Sequence, residues 1–318
     1  MIAIVGGLGA AISWAIATLG SSRSSRMIGP MSVLAWVMIV GFVVSIPPTI
    51  ATLPTLAPMS PAQIAGLAIN GVAFTAGLLL AYQALVIGRV SIVTPIVSTE
   101  GAAAAVASVV LGEALGIPTA IMLGLIAIGV VLASIDRRAD EVAAVDAPAV
   151  AIDRDDPNEV VPAPTAPQPA ARPRHVREDA AATRRSVLLA ISASIAFSIG
   201  LITSARLGDV PIAWILLTSR AAGVILIGIP LIVSGRLRLS RRALPLVISS
   251  GVFETIGAAA YVTGAHASPA MAAVLSSQFA AIAAVSAFIL FGERLARIQI
   301  VGIVLIGAGV TVLAVIRA

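Results

Sequence analysis

The length of its apolar blocks is what most limits what this chain can fold into. Ten recur, at about residues 2–20, 31–50, 62–86, 92–111, 117–135, 187–205, 211–233, 243–264, 269–291 and 298–316. Each is close to the ~20 residues a helix needs to cross the hydrocarbon of a bilayer. A soluble domain of 318 residues could not bury so much apolar surface, since 59% of the chain is hydrophobic and only 11% charged. A typical soluble domain is roughly 25% charged. The chain reads as an all-α, multi-pass membrane protein. Proline and glycine punctuate the blocks, as "GP" at 29–30, "PP" at 47–48, and Pro58, Pro61, Pro118, Pro211 and Pro269. The first block has no basic leader and reads as a spanning helix rather than a cleaved signal peptide.

With no cysteine and two histidines, disulfides and thiolate or histidine metal sites are not expected. Neither a catalytic residue, a metal site nor a cofactor is expected. All 20 basic residues are arginine, and their placement argues for a membrane and against nucleic acid. Residues 136–185 hold eight arginines and ten acids; the remainder holds twelve arginines and five acids, mostly at block ends. If successive blocks cross in alternation, seventeen arginines lie on one side, while Arg206 and Arg317 lie on the other. The positive-inside rule then puts 136–185 in the cytoplasm and both termini outside. For a bacterial chain this is the inner (plasma) membrane. Residues 136–185, which include "DEVAAVDAPAVAIDRDDPNEVVPAPTAPQPAARPRHVRED", are rich in Pro, Ala and mixed charge. Such a segment buries too little apolar surface to offset its ordering entropy and is expected to be a disordered tether.

The two sides of the tether repeat each other. "NGVAFTAG" (Asn70 to Gly77) matches "SGVFETIG" (Ser250 to Gly257), an offset of 180 that also carries "LGE" (111–113) onto "FGE" (291–293) and Gly129 onto Gly309. Separately, "SWAIATLGSSR" (13–23) matches "AFSIGLITSAR" (196–206). The chain thus divides into a first repeat at 1–135, the linker at 136–185 and a second repeat at 186–318. Five crossings in each half require the second repeat to be inverted relative to the first, a carrier architecture with its site near the midplane.

These motifs resemble the ten-helix, EamA-type transporters of the drug/metabolite transporter superfamily. The matching runs are "AYQALVIGRVSIVTPI" and "VVLGEALG" in the first repeat; in the second they are Phe288 to Leu290, Gly292, Glu293, Gln299, Gly302 and Gly309. The first repeat keeps Glu113 and Gly129 but has Thr119 and Met122 at the intermediate positions. The resemblance implies two five-helix repeats around a central cavity, lined mainly by the first, third and fourth helices of each half, with the fifth peripheral. It also implies cytoplasmic termini in many relatives, which the arginine distribution here opposes.

Three ionisable residues fall inside apolar blocks: Glu100, Arg220 and Glu254. Each costs roughly 2.5–3.5 kcal/mol on insertion scales, so each should face a cavity or a partner. Glu254 could exchange a proton or meet a cationic substrate; equally, it could form a fixed ion pair with Arg220. Glu100 is the better candidate for a titrating group. Trp14, Asn70, Tyr82, Thr99, Tyr261 and Gln278 are further candidates for the substrate- or proton-binding site, and Pro95 could kink the helix before Glu100. Glu113 and Glu293, at block ends, read as helix caps rather than active acids.

The function expected is a secondary carrier, an exporter of a small metabolite or drug, proton-coupled and working by alternating access. The alternatives are a magnesium-like small-cation carrier, a membrane-embedded lipid-modifying enzyme or a sensor signalling through the linker. The expected partners are a small-molecule substrate and the lipid bilayer, with a homodimer left open.

Overall fold

The computed structural model describes residues 1–87, 93, 96–133, 174–279, 281, 282, 285, 286 and 297–317, and every regular element among them is helical. Helix α1 spans Ile2–Ile28, α2 Pro30–Thr52, α3 Pro61–Ile87, α4 Glu100–Val110 and α5 Ile117–Ala133. Helix α6 spans Arg174–Arg206, α7 Ile212–Val233, α8 Leu244–Ala267, α9 Pro269–Ser276 and α10 Arg297–Arg317. Six stretches, in α1, α2, α3, α6, α7 and α8, are long and apolar enough to cross a membrane. Helices α4, α5 and α10 supply shorter apolar stretches. Large side chains such as Val106, Val110, Ile117, Val233 and Val304 stand exposed on the outer faces, surface that only lipid would cover.

The halves pack reciprocally. Helix α1 lies against α8, and α3 lies against α6; α2 meets α7, α4 meets α9, and α5 meets α10. Exchanging the two halves leaves this pattern unchanged, and the correspondence extends to single side chains. Trp14 on α1 fills the space above Gly257 on α8, and its repeat equivalent Phe197 on α6 fills the space above Gly77 on α3. Asn70 Nδ2 donates to Gly200 O at 2.9 Å, while its equivalent Ser250 Oγ donates to Ala17 O at 3.1 Å. The repeated glycines of the outer pair face each other's helices: a methyl group on Gly129 would meet Gly302 O at 2.8 Å, and one on Gly309 would meet Ile126 at 2.6 Å.

Several elements depart from the apolar pattern. The block expected at 92–111 is interrupted by a turn at Ser98–Thr99, so α4 starts at Glu100. The block at 269–291 is interrupted by a turn at Ser277–Gln278, and α9 ends at Ser276. Both breaks come at nearly the same repeat position. The cause is local: hydroxyls occupy carbonyls that the helix ladder would use, Thr99 bonding Ile96 O, Ser276 bonding Ala273 O and Ser277 bonding Val274 O. The "PP" at 47–48 does not end α2, which runs on to Thr52. The hydroxyls of Ser45 and Thr49, on either side of the two prolines, bond the carbonyls of Gly41 and Ser45. In α7 the backbone widens into a π turn over Val224–Gly228, immediately before Pro230, which lacks the N–H of a regular ladder and clashes with the carbonyl four residues back. Helix α6 begins at Arg174, inside the segment expected to be irregular up to 185, because "RHVREDAAATRR" is built of good helix formers continuous with the apolar run. The rest of the linker, Pro95, Ala280 and Glu293 lie outside the described residues.

Candidate functional site

Halfway along the long helices the two repeats enclose a cavity of about 280 Å³. Its wall comes from α1, α3, α4, α6, α7 and α8, together with Val97 before the first break and Phe279 after the second. Among the described residues, α5 and α10 contribute nothing to it, as the resemblance implied; α7, which the resemblance left out of the main lining, contributes the candidate Arg220 and its neighbours Ile215, Leu216 and Ser219.

Two of the buried charges are paired. Arg220 is only 5% exposed, and its Nη2 lies 3.4 Å from Glu254 Oε1. Nη1 donates to the same oxygen at 3.5 Å, and Nη2 also donates to the Glu254 backbone carbonyl at 3.3 Å. Trp14 Nε1 reaches that carbonyl at 3.3 Å. Glu254 itself is 27% exposed, although it sits mid-helix, so the face it shows to solvent is the cavity. The pair ties α7 to α8, and Trp14 brings α1 to the same point.

Glu100 is 7% exposed and also lines the cavity. Ser198 Oγ donates to its backbone carbonyl at 2.9 Å, but among the described residues no basic side chain pairs with its carboxylate. The third site residue with an unused polar atom is Asn70, whose Oδ1 has no partner although its Nδ2 is bound to Gly200 O. The only described basic group on the cavity is Arg220, so two carboxylates face one guanidinium there.

The remaining wall is mostly apolar, with six aromatic rings among aliphatic side chains. Trp14 stacks on Tyr261 at 6.2 Å between centroids and meets Phe279 edge-on at 6.3 Å. Phe74 and Phe197 lie 6.3 Å apart across the α3–α6 contact. The hydroxyl of Tyr261 donates to Leu201 O at 3.0 Å, which fixes the ring. Tyr82 closes the list of predicted residues that reach the cavity. Two others do not. The Thr99 hydroxyl is spent on Ile96 O and on Ser194 Oγ, inside the α4–α6 wall. Gln278 is buried in the break after α9, with its Nε2 unpartnered, and lies off the cavity lining. Phe74, Phe197 and Phe279 were missed, because in a spanning helix a cavity-facing phenylalanine reads like a lipid-facing one. Only the repeat register, which sets Phe74 opposite Glu254, could have pointed to the first of them.

Exposure along the wall is uneven. Thr18, Ala81, Tyr82 and Glu254 are open to varying degrees, whereas Leu201, Ser204, Ile215, Tyr261 and Val262 are buried. The first set lies toward the arginine-rich helix ends and the second toward the opposite ends. The cavity therefore opens toward the arginine-rich end.

Glu113 acts elsewhere. Its Oε1 accepts from Ser268 Oγ at 2.6 Å and its Oε2 accepts from Ala270 N at 2.8 Å. It caps α9 of the other repeat, rather than the next helix of its own, because the turn at 111–112 brings the carboxylate to a free helix N-terminus across the repeat boundary. Among the described residues, no group of three or more acidic or histidine side chains is arranged to hold a metal ion.

A model of the EamA-like transporter family matches residues 1–135 and 184–315. A search of curated proteins finds no match. Among solved structures, a crystal structure titled only as that of a protein is 16% identical; the match covers 99% of this chain and 97% of that one, with a TM-score of 0.70. That likeness concerns the fold. A membrane protein of two reciprocally packed repeats, matched over both by one family, is thereby identified: the chain belongs to the EamA-like transporter family.

Proposed function

We propose that this protein is a secondary carrier that exports a small organic solute across a bacterial inner membrane by alternating access. The observation that supports it most is the mid-span cavity, walled by both repeats and holding Glu100 and the Arg220–Glu254 pair. Charges at that depth are retained where they serve a pathway. In this reading each repeat crosses five times and the second is inverted, so that a two-fold in the membrane plane exchanges an inward-open for an outward-open form. The reciprocal contacts of Trp14 with Gly257 and Phe197 with Gly77 fit such a relation. The two breaks, beside Glu100 and Phe279, give the fourth helix of each half a joint at the cavity. In this reading residues 136–185 are cytoplasmic and the termini outside, which the arginine distribution supports.

Proton coupling runs through Glu100 or Glu254 in this scheme, because both carboxylates face the cavity. Reconstituted protein and an imposed proton gradient test it. Wild-type flux follows the gradient, and Glu100→Gln or Glu254→Gln uncouples it. Gradient-driven flux unaltered in both variants sinks the coupling. A magnesium-like carrier gains no support from a cavity whose wall is mostly apolar.

A further inference from the structure

The cavity has a chemical bias that narrows its ligand. Among the described residues, no basic side chain pairs with the Glu100 carboxylate and Asn70 Oδ1 has no partner, and with Glu100 ionised both only accept hydrogen bonds. Arg220 spends both terminal nitrogens on Glu254, leaving Nε as its one unpartnered donor. Since Arg220 and Glu254 offset each other, the cavity carries one carboxylate in surplus whenever Glu100 is ionised. Around it stand Trp14, Phe74, Tyr82, Phe197, Tyr261 and Phe279, whose ring faces attract cations.

Resting on the carrier reading above, we infer that the solute is a small organic monocation, an ammonium on an apolar or aromatic body. Its N–H groups donate to the Glu100 carboxylate and to Asn70 Oδ1, and its body lies against the rings. A neutral alcohol has a single O–H and leaves at least one of the two acceptors unmet in a buried site, and buried acceptors left unmet are costly. A zwitterion brings a carboxylate toward a cavity whose guanidinium is already neutralised. A volume of about 280 Å³ sits at the low end for ligand sites, so the body holds a single ring or a short chain.

Four probes of similar shape separate these classes: 2-phenylethylammonium, its trimethylated quaternary form, neutral 2-phenylethanol and zwitterionic phenylalanine. Binding is measured by calorimetry on the purified full chain, and counterflow in proteoliposomes. The primary ammonium is expected to bind best, and the quaternary form several-fold more weakly because it has no N–H to give. Glu100→Gln weakens ammonium binding by roughly tenfold or more and Asn70→Leu by roughly threefold. Glu100→Asp, which keeps the charge, restores part of the loss. Melting curves of each variant separate a lost contact from a lost fold, and Asn70→Leu carries the test should Glu100→Gln not fold.

Binding of the ammonium that depends on Glu100, with counterflow, supports both readings. Such binding without counterflow keeps the cation class and removes the carrier. Counterflow of phenylalanine or phenylethanol in preference to the ammonium overturns the cation class and keeps the carrier. Ammonium binding that neither variant weakens, or no binding of any probe, overturns the cation class.

Discussion

The two ends of the bundle are held together differently. At the arginine-poor end two large buried clusters run across both repeats: one includes Leu67 of α3, Leu207 and Val210 of the α6–α7 connection, Ile215, Tyr261, Ala265 and Ala272, the other Ala3, Ile4, Leu123, Ala270, Met271 and Leu313. At the arginine-rich end there are two smaller clusters. One gathers Ile28, Val33, Val37, Ile227 and Val247 from α1, α2, α7 and α8; the other gathers Ala84, Val93 and Ala190 beside α3 and α6. Polar contacts follow the same division. Glu113 reaches α9 of the other repeat, and Arg206 Nη2 donates to Leu111 O at 2.8 Å, both at the arginine-poor end. Among the described residues, the arginine-rich end is bridged by Trp36 and Ser32, which bond the backbone of Arg238, and by Ser250 Oγ, which donates to Ala17 O. Large clusters close one end, while the smaller ones at the other end leave it more open.

The sharpest way to break this comparison is to overpack each end on the same helix pair. At the closed end, a methyl group on Gly6 would lie 2.6 Å from Ala260 O and from Gly264 Cα, backbone that cannot turn aside. At the open end, a methyl group on Gly20 would first meet Ser250 Oγ, a hydroxyl that can change rotamer. Gly6→Val should cost about 3 kcal/mol, while Gly20→Ala should stay within about 1 kcal/mol of wild type. Thermal melting in detergent checks both; equal losses would mean that α1 and α8 are no closer at one end than at the other.

Access is the next test, and the chain makes it clean because it has no cysteine of its own. Thr18 and Ser204 both line the cavity, the first exposed and the second buried. A water-soluble thiol reagent should modify Thr18→Cys faster than Ser204→Cys by roughly tenfold or more. Equal rates would leave the openness of the two ends indistinguishable.

Much of this could be read from sequence alone, and the failures share a cause. The long helices were legible because about 20 apolar residues in a row admit few other structures. Arg220 and Glu254 were legible as partners because a mid-span charge must find one. The breaks at 98–99 and 277–278 were not, since Ser, Thr and Gln inside an apolar run also suit an unbroken helix whose hydroxyls bond back to its own carbonyls. Glu113 was read as a cap, but for the helix that follows it. Its partners Ser268 and Ala270 lie in the other repeat, and only packing brings them near. The aromatic wall was half seen, as Trp14, Tyr82 and Tyr261 carry a polar atom that marks them and the phenylalanines do not.

The smallest expected effects separate the two ties of the closed end. Glu113→Gln keeps one acceptor oxygen and loses the charge at the α9 N-terminus, where Ser268 and Ala270 now donate to it; the cap should weaken by about 1 kcal/mol. Arg206→Gln removes one exposed hydrogen bond to Leu111 O and should cost about 0.5 kcal/mol. If these contacts hold the end shut, the cost falls on the closed form alone. Ser204→Cys would then react roughly fivefold faster in the Glu113→Gln background and about twofold faster with Arg206→Gln, while Thr18→Cys keeps its rate. A loss of overall stability without selective exposure at position 204 would assign both residues to the fold at large. The ordering carries the argument, because a charged cap on a buried helix end and a single bond at the rim differ in what their removal leaves unsatisfied.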